Sequence, residues 1–485
     1  DPGLGSVTVV LPAGLDVELA GSDMTTSSAD GVVTYTATGI ADPETWLATV
    51  IARDDDALVE QMVFFDDIGV HVQAWPGDTE WLAFTSDLVE RGLPALRSTI
   101  GRPWLVDGQL DVVETSAPYV YGYGGWYEHA RSLIEVGDAL DAHVTLHEMA
   151  HAWFNAEAFD GRWVNEALAD EYAALAMAEL GMERPLPQAM APGAPGAVRL
   201  NDWTTPALDE GGARDQEAYG YATSWWLAHA LVEEIGVDAM STVVNAAIDG
   251  IPPYPAETDP GRLAQVADWR AFLDHLEGVG GSVQAGDLFR RLVVSESDLP
   301  LLDARATARE AYAALVAAGR GWAPPAAMRD AMARWSFDEA TAMVPQVEDA
   351  IEARDAIARS LNGIGVEVPT ALREDVEGAT DLDALEGALA DAGRAADSLV
   401  RAVTAQADAN PLARLGLLVL PVDDELGDAR AALDSGAWDR ADHAARDASS
   451  GIGGATLTGA LVLLCGLLAA GLVVLGVVRL RRPPA

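Results

Sequence analysis

From Ser6 to about Val70 apolar and polar positions alternate in short runs, among them Val7-Thr8-Val9-Val10-Leu11 and Val32-Val33-Thr34-Tyr35-Thr36, cut by Gly, Pro and Asp. A period of two with turn residues between the runs predicts β-sheet. Two further apolar runs, His71 to Trp75 and Leu110 to Val113, bracket a helical pattern that begins near Thr79 with Trp81, Phe84 and Leu88 on one face. Gly92 and Pro94 are expected to interrupt that helix before Leu96, and an α/β layer is expected from here. Helical spacing dominates from Asp138 to about Gly250, broken by the Pro- and Gly-rich loop Arg184 to Gly196; prolines between Ile251 and Pro260 mark the next loop. Beyond about Ser295 the chain is Ala-rich with helical spacing, as in Ala304 to Ala318 and Phe337 to Leu361, which predicts a helical stalk or bundle.

The C-terminal pattern is different in kind. Thr456 to Val478 carries no charge over 23 residues, more than the ~20 a helix needs to cross the hydrocarbon of a bilayer. A transmembrane helix is expected there, entered through a short linker at Ser449 to Gly454. Arg479, Arg481 and Arg482 follow directly, so the positive-inside rule puts the C-terminus in the cytoplasm and the N-terminal bulk outside it. The expected location is the cell membrane, single-pass. At the other end the sequence opens at Asp1 without Met or an apolar signal region, which suggests a start after a processed leader or a fragment.

Composition narrows the function classes. Of 485 residues, 30 are basic, all of them Arg, against 76 acids, for a net charge of −46. Such a field repels phosphate backbones and anionic headgroups, so a nucleic-acid partner is excluded. Half the residues are apolar and 22% are charged, the balance of folded domains rather than of a disordered acidic chain. Cys465, the one cysteine, lies inside the apolar run, which leaves no intrachain disulfide and no thiol nucleophile.

The chemistry concentrates in His143 to Tyr172. Its centre reads His147-Glu148-Met149-Ala150-His151 within a helical pattern. Two histidines four apart share one face about ~6 Å apart, so both imidazoles can point at one ion, with Glu148 beside it. A catalytic zinc takes three protein ligands and keeps a position for water; Glu166, in Trp163-Val164-Asn165-Glu166, is the best third ligand, and Asp170, one turn on, can accept the second N–H of a liganding imidazole. His143 shares the face of His147 and reads as a helix-start residue. His71, His129, His229, His275 and His443 are isolated, and each reads as a core or surface residue.

The string Thr145-Leu146-His147-Glu148-Met149-Ala150-His151-Ala152-Trp153-Phe154, followed by Trp163-Val164-Asn165-Glu166, resembles the gluzincin metallopeptidases, most closely the aminopeptidase N family, with its H-E-x-x-H, an aromatic pair and then W-L-N-E-G. The similarity runs from the N-terminal sheet to about residue 300 and includes Asp111-Val112-Val113-Glu114. Tyr221 stands where the family has a transition-state tyrosine in Y-E-K-G-A, with Tyr219 as the rival register. Fourteen residues separate His151 from Glu166, fewer than in the family, which implies a shortened loop. The family's G-x-M-E-N strand, whose Glu holds the substrate's free amino group, should lie near Tyr121-Gly122-Tyr123-Gly124-Gly125-Trp126, and no Met-Glu-Asn is there. Glu128 and Glu135 are the nearby acids that would have to substitute for it.

The pattern and the resemblance together imply an α+β chain: the end of a β-sandwich over residues 1–70 and a thermolysin-like α/β catalytic domain over 71–295 from the resemblance, and from the pattern a helical domain or stalk over 296–450, the membrane helix 456–478 and a short tail, 479–485. The resemblance implies zinc held by His147, His151 and Glu166, Glu148 as general base, Tyr221 on the oxyanion, and a peptide or protein substrate, cleaved as an aminopeptidase or an endopeptidase. The competing expectation is a catalytically silent, membrane-tethered binding or scaffold protein on a peptidase fold.

Overall fold

The computed structural model describes residues 5–65, 68–104, 108–116, 123–191, 193–205, 213–258 and 261–480. The chain divides into two units, residues 1–253 with 263–299 and residues 254–262 with 300–485. Tyr121, Gly122, Arg481 and Arg482 lie outside the described residues.

In the first unit the alternating N-terminal runs form sheet as expected. Strands β1 (Gly5–Pro12), β4 (Val32–Ile40) and β3 (Thr25–Ala29) make one antiparallel sheet, and β2 (Asp16–Gly21) pairs with β5 (Ala48–Arg53) in another. A five-stranded mixed sheet follows in the order β6-β7-β8-β10-β9, built from β6 (Val59–Phe65), β7 (Ile68–Ala74), β8 (Leu110–Thr115), β9 (Gly125–Glu128) and β10 (Leu133–Gly137). Strands from either side of residue 70 therefore share one sheet. β7, β8 and β10 run parallel, while β9 pairs antiparallel with β10 and forms the edge, with Gly125 opposite Val136. Leu110, Val112, Ile134 and Val136 are buried, as continuous apolar runs in parallel strands require.

Helix α1 (Thr79–Ile100) crosses between the parallel strands β7 and β8, capped by Asp78, whose carboxylate accepts from the Trp81 N–H at 2.9 Å. It is continuous, which corrects the expected break at Gly92 and Pro94. Trp81, Leu88, Leu93, Leu96 and Ile100 hold one buried face through the whole length, and that burial outweighs the missing proline N–H. Gly92 serves packing instead: a Cβ there would stand 2.5 Å from Leu146 Cδ2, so its absence lets the histidine-bearing helix lie close against α1. That helix is α2 (Ala142–Ala150), and α3 (Arg162–Glu179) and α4 (Ala213–Ile235) pack on it in turn.

The second unit is helical. Helices Phe337–Asn362, Leu382–Ala407, Val422–Asp434 and Trp438–Leu480 enclose a core that includes Leu361, Leu389, Ala395, Leu399, Leu426 and Ala445. Ser449 to Gly454 is no linker: Trp438–Leu480 is one helix, kept regular by Ala448, Ile452 and Ala455, buried at spacings of three and four. Its segment Trp438–Val477 has a window of mean hydropathy 2.8 and is long and apolar enough to cross a membrane. Most leucines and valines between Leu457 and Val477, among them Leu461, Leu467, Leu472 and Val474, stand exposed.

Candidate metal centre

Local capping aims the histidines. Asp141 accepts from the N–H groups of His143 (2.9 Å) and Val144 (3.2 Å) to start α2, and the buried Leu146, Met149 and Ala150 fix its orientation. Helix α3 starts after Gly161, and Asn165 Nδ2 secures the turn by donating to the carbonyls of Phe159 (3.0 Å) and Gly161 (3.2 Å). Glu166 and Asp170, one turn apart on α3, then face His147 and His151.

The Nε2 atoms of His147 and His151 lie 3.0 Å apart, and Glu166 Oε2 is 3.3 Å from the first and 3.5 Å from the second. The other ring nitrogens face atoms that only accept: His147 Nδ1 is 2.9 Å from Asp170 Oδ1, and His151 Nδ1 is 2.8 Å from the Phe154 carbonyl. Each Nδ1 therefore carries the ring proton, and each Nε2 turns its lone pair toward the same carboxylate oxygen. Three electron-rich atoms converging on one point repel one another unless a cation sits among them. Two imidazoles and one carboxylate, with their outer nitrogens bound, are a donor set that could hold a metal ion and that fits zinc. Burial disfavours a charged His147, but Asp170 and Glu166 outweigh it and raise its pKa; His151 is raised by Glu166 against the same burial penalty. Glu166 is correspondingly held far below the usual carboxylate range, burial notwithstanding, by the two imidazoles.

Glu148 lies beside this cluster, 6% exposed, and burial raises its pKa above the ordinary 4.5 against the pull of the two histidines. Gly125 of the edge strand presses on it: a Cβ there would meet Glu148 Cγ at 2.6 Å. Edge strand, Glu148 and the metal-ligand set share a cavity of about 480 Å³, also walled by Tyr123, Trp126 and Tyr127. The Tyr127 ring lies parallel to that of His151, with centroids 6.2 Å apart.

Tyr221 lines the same cavity, whereas Tyr219 is buried and does not. A clamp that the sequence reading missed holds it. Arg162 Nη1 and Nη2 donate to the two oxygens of Glu217 at 2.7 and 2.6 Å, and Nη2 is also 3.2 Å from the Tyr221 hydroxyl. Tyr123 Oη and Trp203 Nε1 each donate to Glu217 at 2.7 Å, and the guanidinium lies 4.1 Å over the Trp203 ring. Arginine only donates, so the Tyr221 oxygen accepts and its own proton remains available to the cavity. Burial first, and the Glu166 charge next, raise the Tyr221 pKa far above the phenol range, which keeps it a neutral donor. Arg162 and Glu217 each stand four residues before a candidate functional residue on the same helix, a spacing that could have exposed them.

The other candidates fall elsewhere. His143 Nε2 is 3.2 Å from the Asp170 carbonyl and its ring stacks on Trp225 at 4.8 Å, so it ties α2 to α3 and does not enter the cluster. Glu128 pairs with Arg131 at 3.3 Å and Glu135 with Arg53 at 2.9 Å, and neither lines the cavity. His129, read as isolated, stands at the cavity wall and pairs with Glu157 at 3.2 Å.

No family model matches the chain, and no curated protein does. Among solved structures it is similar to a two-domain M1 zinc metallopeptidase mutant bound to L-arginine, at 18% identity over 61% of this chain and 64% of that one, with a TM-score of 0.34. The M1 zinc metallopeptidase from Deinococcus radiodurans aligns at 18% identity over 60% of this chain and 63% of its own, with a TM-score of 0.32. Legionella pneumophila aminopeptidase A in complex with aspartic acid aligns at 13% over 59% and 34%, with a TM-score of 0.33. The chain spans less than two thirds of the length of each of these proteins.

Proposed function

We propose that the chain is a zinc-dependent peptide hydrolase. The observation that carries this is the convergence of the His147 and His151 Nε2 atoms on Glu166 Oε2, with both Nδ1 atoms already bound. Zinc held there supplies a water of lowered pKa and polarises a peptide carbonyl. Glu148 takes the proton from the attacking water and returns it to the leaving amine nitrogen. Tyr221 donates its hydroxyl proton in a hydrogen bond to the carbonyl oxygen as charge collects there. Asp170 and the Phe154 carbonyl keep the two rings oriented.

Charge around the cavity supports cleavage within a chain rather than at its amino end. Among the described residues its lining carboxylates are Glu148, Glu166 and Asp170, and each already has a role. Among the described residues an α-ammonium would find no further lining anion, while the edge strand offers main-chain groups to an extended peptide. The exposed apolar helix beyond Thr456 is read as the membrane anchor, with the Arg-bearing C-terminus in the cytoplasm.

The test is peptide digestion by the purified full chain with and without a chelator, on one peptide in free and N-acetylated forms. Chelator-sensitive cleavage at equal rates is expected, as is loss of nearly all turnover in Glu148→Gln with zinc content intact. No zinc in the purified protein would favour the silent scaffold; cleavage of the free form alone would restore the aminopeptidase reading.

A further inference from the structure

Helix α4 has two working faces. Glu217 and Tyr221 belong to the site described above. Tyr219, Thr223 and Trp226, spaced four and three residues apart and turned about 200° from Tyr221, line a second and larger cavity of about 850 Å³. That volume lies within the range of small-molecule pockets, about 300–1,000 Å³.

The wall opposite α4 is cationic. Phe289–Val293 forms a single π turn, closed by the Val294 N–H to the Phe289 carbonyl at 2.9 Å, and places Arg290 and Arg291 on the cavity; such turns recur at functional sites. Arg199 ties this turn to the neighbouring wall, its Nη1 donating to the carbonyls of Arg290, at 3.0 Å, and of Arg291. The single carboxylate among the lining residues is Glu296, 3.5 Å from Arg199 and 84% exposed. Three guanidinium groups against one acid reverse the ratio of the chain as a whole, 30 to 76. On the α4 side Thr223, 4% exposed, carries a buried hydroxyl without a hydrogen-bond partner, a cost that a native structure seldom carries without a reason. Trp226 and Leu292 add apolar surface.

We propose that this cavity binds a small organic anion, a phosphate monoester or a carboxylate with a compact apolar body, its head on Arg290 and Arg291 and its body against Trp226 and Leu292. Guanidinium groups match both head groups through charge-assisted, paired hydrogen bonds. The chain's net charge of −46 disfavours anions in general, so an arginine-lined cavity stands out against it.

Calorimetric titration tests the proposal on the full chain in neutral detergent at fixed ionic strength, with chelator present so that no anion reaches a metal. Phenyl phosphate and benzoate are the probes and phenol is the neutral control. Saturable one-site binding of at least one anion is expected, weakened roughly tenfold or more in Arg290→Gln/Arg291→Gln. Which anion binds more tightly identifies the head group. The single variant Arg291→Gln, at an exposed position, is expected to show part of the loss, and it serves if the double variant melts abnormally. No saturable binding of either anion, binding matched by phenol, or affinities unchanged in the arginine variants would overturn the proposal.

Discussion

Arg162 donates to the hydroxyl oxygen of Tyr221 across 3.2 Å while Nη1 and Nη2 also donate to the two oxygens of Glu217. The phenol is thereby held as a donor toward the cavity, by a group that cannot compete for its proton. Arg162→Met is expected to lower kcat by about tenfold to a hundredfold with little change in KM or in bound zinc, because a donor that acts on the developing oxyanion is lost from position. Tyr221→Phe should lose at least as much. The double variant should be no slower than Tyr221→Phe alone, since both changes remove one function. Losses that multiply in the double variant would show Arg162 acting elsewhere.

Asp170 fixes the His147 ring from behind, at 2.9 Å from Nδ1. Asn in its place keeps the shape but loses the charge that raises the ring's basicity. Asp170→Asn is expected to weaken zinc affinity by about 10–100-fold, measured by competition with a graded chelator, while saturating zinc restores most of the peptidase activity. Unchanged affinity would mean that the Asp170 carboxylate is only a packing partner.

At Gly125 the edge strand touches Glu148, the proposed general base. A methyl group at this position would overlap Glu148 Cγ, Oε1 and Cδ at 2.6–2.9 Å, so the carboxylate must move from its place. Gly125→Ala is expected to keep zinc bound and to cut kcat at least tenfold, since small misplacements of a reacting group are costly. Full activity would show that the carboxylate works from another position.

Much of this site was legible because its parts lie close in sequence and obey helical spacing. His147 and Glu148 lie on one short helix with His151 at its C-cap, and Glu166 with Asp170 on the next, so helical spacing already suggested which side chains could meet. Tyr221 lies far from them in sequence, and only a motif resemblance suggested it. The clamp of Arg162, Glu217, Tyr123 and Trp203 escaped because it joins four separate segments; its one local signal was the spacing of four that sets Arg162 before Glu166 and Glu217 before Tyr221. Local rules also failed where tertiary burial overrode them. Gly92 and Pro94 read as breakers, yet the apolar face running through them to Ile100 kept α1 whole; Ser449 to Gly454 read as a linker, yet Ala448, Ile452 and Ala455 carry the last helix straight through.

One buried acid should govern stability rather than catalysis. Glu114 on β8 is fully buried, accepts the Trp75 N–H at 2.9 Å through Oε2, and has no partner for Oε1. Burial first, opposed by that hydrogen bond, and then the neighbouring Asp78 push its pKa up to about 7, from 4.5. A carboxyl whose folded pKa is raised binds its proton more tightly in the native state, so its favourable contribution is complete below pH 4.5 and is lost as pH climbs toward 7. The loss is on the order of 3 kcal/mol. Gln copies the protonated acid at every pH, so Glu114→Gln is expected to raise the melting temperature at pH 8 by several degrees. The gain should shrink steadily through pH 6 and vanish near pH 4.5, as followed by thermal melts at each pH. A variant destabilised at pH 8 would show instead that the fold favours the ionised carboxylate over the neutral form, against the raised pKa.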